Sequence, residues 1–300
     1  MFNKQFFGNN NLKTIEDLNL KKSDFQDEEK LLEKFVVMKR KDNWESVRTA
    51  HGNFKLKEIE FPFGTRKSYI PITNKKNHDL QSSRGIGIDD HMDLDILFKK
   101  LAIEMSLSES DEVRIEELDI VFNEVKKVNP AMVEHNELIE KFLKREFLGV
   151  CELGFRSPRL IKYYQDKKGF KNALGLDINK FNVAIGKKLG YDCRYHDLNS
   201  KKKLNLKDSS LVLSYHCLEH CSNPLEVLKK VYDGMDRGTL FHVEIPIEPD
   251  GPRLKFGHLF AFHENDLVRM LSLTGFDILT IGRKTHTGGP HIERCTAVKK

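Results

Sequence analysis

Several features that would place a chain in a common class are scarce here. There are 5 cysteines, an odd number, and no two stand as Cys-x-x-Cys. Spacing therefore encodes neither a disulfide framework nor a zinc knuckle, and free thiols in a reducing compartment are expected. No apolar run approaches the ~18 residues of a membrane span, and Met1 to Lys13 has no apolar core of signal-peptide length. The expectation is a soluble, cytoplasmic protein with no membrane partner. Charge of one sign is also lacking: 50 Lys and Arg face 45 Asp and Glu, a net +5. The basic residues are scattered apart from short runs such as Lys201 to Lys203, and no arginine-rich stripe alternates with aromatics. That pattern speaks against nucleic acid as a partner. Repeats at solenoid periods are absent.

What is present is 39% hydrophobic residues in a chain of 300, enough for one domain of ordinary core size and a smaller second unit. The informative stretch begins at Phe147. Phe147, Leu148, Val150 and Cys151 read as a buried strand, Glu152 and Gly154 stand where it stops, and Leu160, Ile161 and Tyr164 recur at helical spacing. The same strand, turn and helix pattern returns with a strand ending in Asp177, followed by Phe181, Val183, Ala184, Ile185 and Leu189. Acids at the tips of two adjacent strands suggest a ligand lying across the carboxyl edge of a parallel sheet. A dinucleotide is a poor candidate. Its pyrophosphate wants Gly-x-Gly-x-x-Gly in the first turn, but Arg156 and Pro158 occupy the later positions, and Glu152 would repel phosphate. A cationic or zwitterionic ligand suits that acid better.

Residues 1–134 read as a mostly helical accessory region. Leu31, Leu32, Phe35, Val36 and Met38 form one helix face behind a cap at Asp27, and further helices are expected from Met92, from Val113 and over 131–145. Within this region Phe54 to Phe61 alternates apolar and polar, as a half-exposed strand does, and could pair with Ser68 to Ile72 through the turn after Phe61. Residues 73–90 form a long loop, a candidate boundary or lid.

The segment Leu211 to His220 carries Ser214, Tyr215, His216, Cys217, Glu219 and His220, with Cys221 next. Two His and two Cys so close invite a zinc reading, but adjacent ligands on one turn close a tetrahedron poorly and no second half-site exists. The reading is that no metal binds. Histidine is the side chain most easily poised as a base near neutral pH, so His216 and His220 are the candidate catalytic bases.

In the order and spacing of these elements, residues 135–300 resemble the class I S-adenosylmethionine-dependent methyltransferases. Glu152-Leu153-Gly154 matches the first motif, Asp177 the acid of the second strand, Asp197 that of the third. Glu219-His220 matches a pair found after the fourth strand in one subgroup. The resemblance implies an α/β fold, a Rossmann-like three-layer sandwich whose seven-stranded, mostly parallel sheet has an antiparallel last strand. It implies S-adenosyl-L-methionine as cofactor, held by Glu152, Gly154, Asp177, Ile178, Asp197, Leu198, Ser214, Tyr215 and His216. It places the acceptor near His258, His263 and Arg253, and suggests a polar small molecule, in the first instance a hydroxyl of a sugar or glycan precursor. A quinone or secondary-metabolite acceptor, or a binding module that keeps the fold without the chemistry, are the alternatives.

Overall fold

The computed structural model describes residues 54–71, 116, 118, 148–166, 168–179, 182–183, 186–187, 189–253, 257–285 and 291–300. The expected helices before residue 113, the loop 73–90 and the helix over 131–145 lie outside them, as do Phe147 and Phe181. Of the segment from Val113, Glu116 and Leu118 are described and helical.

The chain first makes a two-stranded antiparallel hairpin, β1 (Phe54–Phe61) and β2 (Gly64–Pro71). The turn is tighter than the sequence reading had it, with Pro62 and Phe63 alone between the strands, so β2 begins at Gly64 rather than Ser68. The main sheet is built from β3 (Gly149–Leu153), β4 (Asn172–Asp177), β5 (Asp192–Tyr195), β6 (Leu211–Tyr215), β7 (Leu240–Pro246), β8 (Phe276–Thr285) and β9 (His291–Lys299). Helices α1 (Arg159–Asp166), α2 (Pro224–Gly234) and α3 (Asp266–Thr274) flank it. Strand order is β5-β4-β3-β6-β7-β9-β8. All neighbours are parallel except at β9, which runs antiparallel to both β7 and β8. This is the mostly parallel seven-stranded sheet that the resemblance implies.

The strands read as near-continuous apolar runs because both faces of the sheet are covered. Alternation sorts their side chains. On β6 and β7, Val212, Phe241, Val243 and Ile245 enter one core with Leu228 and Val231 of α2 and Leu267, Met270 and Leu271 of α3. Leu211, Leu213 and Leu240 enter the other core with Val150 and with Leu160, Ile161 and Tyr164 of α1. The result is three layers. At β3 the strand extends through Glu152 to Leu153, and Leu148, expected inside it, precedes it and is exposed. Among the described residues no helix is long and apolar enough to cross a membrane.

The hairpin is fastened to the α/β layers. Phe61 packs edge-on against Phe260, Tyr69 donates its amide to Leu259 O (2.6 Å), and Ser68 Oγ donates to Ser222 O (2.6 Å). Arg66 makes a forked pair with the fully buried Asp266 at the start of α3, Nε to Oδ2 at 2.5 Å and Nη2 to Oδ1 at 2.6 Å.

Candidate active site

From β3 the chain proceeds to β4 and β5 on one side of the sheet, then returns to lay down β6 and β7 on the other. Strand order thus reverses between β3 and β6, and the carboxyl ends of these strands are where an open α/β sheet forms a ligand crevice. A cavity of about 520 Å³ lies there. It is lined by Glu152 and Gly154 at the end of β3, Asp177 and Ile178 at the end of β4, and Asp197 and Leu198 after β5. Tyr215, His216 and His220 from the end of β6, together with His258, complete the expected residues on its wall.

Three expected residues lie off the wall. Ser214 is fully buried within β6; the strand runs one residue further, so its tip is Tyr215. His263 belongs to the hairpin contact: its amide donates to Asp266 Oδ2 (2.9 Å), and burial and the nearby Arg66 cation lower its pKa. Arg253 is exposed, its Nε 3.8 Å from Glu248 Oε1.

Asp177 is the most constrained acid. Its carboxylate is buried, yet Oδ1 accepts the Asn179 amide (2.6 Å) and Oδ2 the Arg156 amide (2.8 Å). Burial pushes its pKa up, and those amides oppose the rise. A carboxylate oxygen has two acceptor directions; Oδ2 also accepts a long bond from Asn182 Nδ2 (3.5 Å), so Oδ1 is the oxygen that keeps one for a ligand hydroxyl. Asp197 is held differently, in a local turn where Oδ1 accepts the Asn199 amide (2.8 Å). Gly154 has φ +68, and a Cβ there would stand 2.5 Å from Cys217 Sγ. Glycine is required by the packing of this turn against the segment after β6, as well as by the approach of a ligand.

Arg156 and His216 are two of the three described non-glycine residues with left-handed φ, at 48° and 47°. They stand in the turns that follow β3 and β6, on either side of the reversal. Strained backbone of this kind persists only where the surroundings enforce it, and it concentrates at functional sites. For His216 the enforcement is visible. Its amide donates to Glu244 O (3.0 Å), its Nε2 lies 2.9 Å from Glu244 Oε1, and its Nδ1 lies 3.5 Å from Glu219 Oε1. Burial lowers the pKa of His216, but the two buried acids overcome this and raise it to about 9. Glu219 responds in kind: burial alone would raise it, while His216, His220 and His258 take it down to about 2. An imidazolium has no lone pair with which to accept a proton. The two acids beside His216 thus disfavour the general-base role expected of it, and His220 is the other candidate.

His220 Nδ1 lies 3.1 Å from Gly257 O, and its ring is tilted against that of His258, centroids 5.0 Å apart. His258 Nδ1 lies 2.7 Å from Glu248 Oε1. Behind His216, Glu244 Oε2 accepts from Arg294 Nε (2.8 Å) and Nη2 (2.6 Å).

Sequence reasoning missed Glu244, Asn179 and His196. The signal for Glu244 was an acid inside a largely apolar strand, Leu240 to Pro246, where His242 is the other polar member. Asn179 acts through its backbone, which no residue type announces. His196, which lines the cavity, stands next to the residue that was singled out, and burial lowers its pKa.

Neither family models nor curated proteins gave a match to the chain. Solved structures did. An S-adenosylmethionine-dependent methyltransferase from Mesorhizobium loti is 15% identical, with 56% of this chain and 98% of that one covered and a TM-score of 0.42. A methyltransferase from Aquifex aeolicus is 14% identical, with 59% and 97% covered and a TM-score of 0.40. The [4+2]-cyclase SpnF is 13% identical, with 55% and 78% covered and a TM-score of 0.44.

Proposed function

We propose that the protein is an S-adenosylmethionine-dependent methyltransferase whose acceptor is a polar small molecule, in the first instance a hydroxyl of a sugar or glycan precursor. The observation that carries the proposal is the convergence of Glu152, Asp177 and Asp197 on one cavity at the strand-order reversal. The donor chemistry fits. The cofactor is a sulfonium with an amino group and two ribose hydroxyls, and three carboxylates suit cations and hydroxyl donors where a phosphate-bearing dinucleotide would be repelled. About 520 Å³ falls within the roughly 300–1,000 Å³ of small-molecule sites.

When bound, the cofactor supplies an electrophilic methyl group. The chain's own residues do the rest. Asp177, pinned by two backbone amides, would accept the ribose hydroxyls; Glu152 would face the amino group; Ile178 and Leu198 would flank the adenine beside Asp197. Methyl transfer is an in-line displacement, so the enzyme gains chiefly by alignment and by taking the acceptor's proton. His220 would take that proton, while His216, paired with two acids, would donate.

Calorimetric titration with S-adenosylhomocysteine, the demethylated product, tests the cofactor without knowledge of the acceptor. Wild type should bind, and Asp177→Ala should lose binding with its far-UV circular dichroism and unfolding transition retained. Failure of folded wild type to bind, or undiminished binding by the variant, refutes the assignment.

A further inference from the structure

We propose that Glu219, His220 and His258 form a binding site for one divalent first-row transition-metal ion on the wall of the cavity. One ligand atom from each can be chosen so that all lie within 4.8 Å of one another, and all three residues line the cavity. Glu219 supplies the reason to expect a cation. Its side chain is fully buried, and neither carboxylate oxygen has a hydrogen-bond partner. Its neighbours are His216 Nδ1 at 3.5 Å and His220 Nε2 at 3.9 Å, too far for strong bonds. The His216 imidazolium offsets part of the cost of burying this carboxylate through charge alone; no donor bonds it directly, and an ion coordinated to it would supply that missing bond.

The two imidazoles are oriented as ligands are. A metal-bound histidine usually commits its other ring nitrogen to a carboxylate or a backbone carbonyl, which fixes its tautomer and raises its basicity. Here His220 Nδ1 faces Gly257 O at 3.1 Å, and His258 Nδ1 faces Glu248 Oε1 at 2.7 Å. His220 thereby turns Nε2 toward Glu219. Backbone holds the cluster together: the amides of Leu259 and Phe260 both donate to Glu219 O, at 2.7 and 3.0 Å. This ties the segment carrying His258 to the turn carrying the other two. Two imidazoles and one carboxylate suit zinc, iron(II), cobalt or manganese better than calcium. Three protein ligands leave coordination positions open toward the cavity, as in catalytic rather than structural sites. If the cavity serves methyl transfer as proposed above, the bound ion would take over from His220, whose Nε2 it would occupy: an acceptor hydroxyl on the ion would lose its proton to solvent more readily.

Cobalt(II) is the probe, added to chelator-treated and dialysed full-length protein and followed by its visible absorption. Wild type should saturate at one equivalent. His258→Ala and His220→Ala should each weaken binding more than tenfold, and Glu248→Gln, which touches no ion, by about 10–100-fold. Absence of a visible band in folded wild type, or undiminished titration in both histidine variants, overturns the proposal. So does an intense near-ultraviolet thiolate band, which would assign the ion to Cys217 or Cys221. Titration of chelated wild type with S-adenosylhomocysteine keeps the two readings apart: cofactor binding without ion uptake would sink the metal site alone, and ion uptake without cofactor binding the methyltransferase reading alone.

Discussion

Replacing Glu244 by glutamine should remove the charge that holds two cations in place. Glu244 is fully buried on β7, directly opposite Arg294 of β9, and the Arg294 side chain is 8% exposed. Breaking a buried pair while keeping one partner costs about 3–5 kcal/mol. Glutamine retains one carbonyl acceptor for the guanidinium, so the expected loss is at the lower end, about 3 kcal/mol in urea-induced unfolding. A second effect falls on His216. Its rise from 6.5 to about 9 would correspond to ~3 kcal/mol for a dry imidazole. With 36% of the side chain exposed, screening brings this to about 1–2 kcal/mol. The sign follows from the raised value: this stabilisation is complete below 6.5 and is lost as pH climbs through about 9. Wild-type protein in chelator should therefore weaken over that interval, and Glu244→Gln should flatten the dependence. The His216 ring-proton signal should titrate near 9 in wild type and at lower pH in the variant, still above ~6.5 because Glu219 remains beside it. A wild-type titration near ~6.5, or a stability loss below ~1 kcal/mol, would refute the reasoning.

Two further substitutions probe the frame of the site. Gly154→Ala forces a Cβ against Cys217 Sγ at a left-handed φ, for a cost of about 2–4 kcal/mol in denaturant unfolding; adding Cys217→Ala should recover part of it, and an additive double variant would show that the clash is not the cause. Arg66→Met strands the buried Asp266 and should cost about 3 kcal/mol, with faster tryptic cleavage at Lys67; unchanged cleavage would mean that the hairpin does not depend on this pair.

The sheet was legible because its signal is local. Apolar strands buried on both faces, each ending in an acid or a turn and each followed by an amphipathic stretch, need only short windows of sequence to be read. The acids Glu152, Asp177 and Asp197 came with them, since strand tips are where the chain leaves the core. Ser214 was misplaced by one residue in the length of β6, enough to turn a wall position into a core position. The electrostatics around His216 were illegible for a different reason. Glu244, Arg294 and His258 reach it or its neighbours from 28, 78 and 42 positions away along the chain, through strand register and loop closure. Weighing a metal on His216 to Cys221 alone could not find a ligand that the fold brings in from beyond β7.

The hairpin has a consequence for the order in which the chain matures during synthesis. Ser68 and Arg66 wait for partners 154 and 200 residues downstream. At about 5–20 residues per second, the Asp266 partner of Arg66 follows it by roughly 10–40 s of translation. Through that interval β1 and β2 exist without the segment they brace, and Arg66 gains its buried partner only once the start of α3 has been made. Docking of the hairpin is thus expected to be a late step of folding, although its two strands are made before the sheet they pack on.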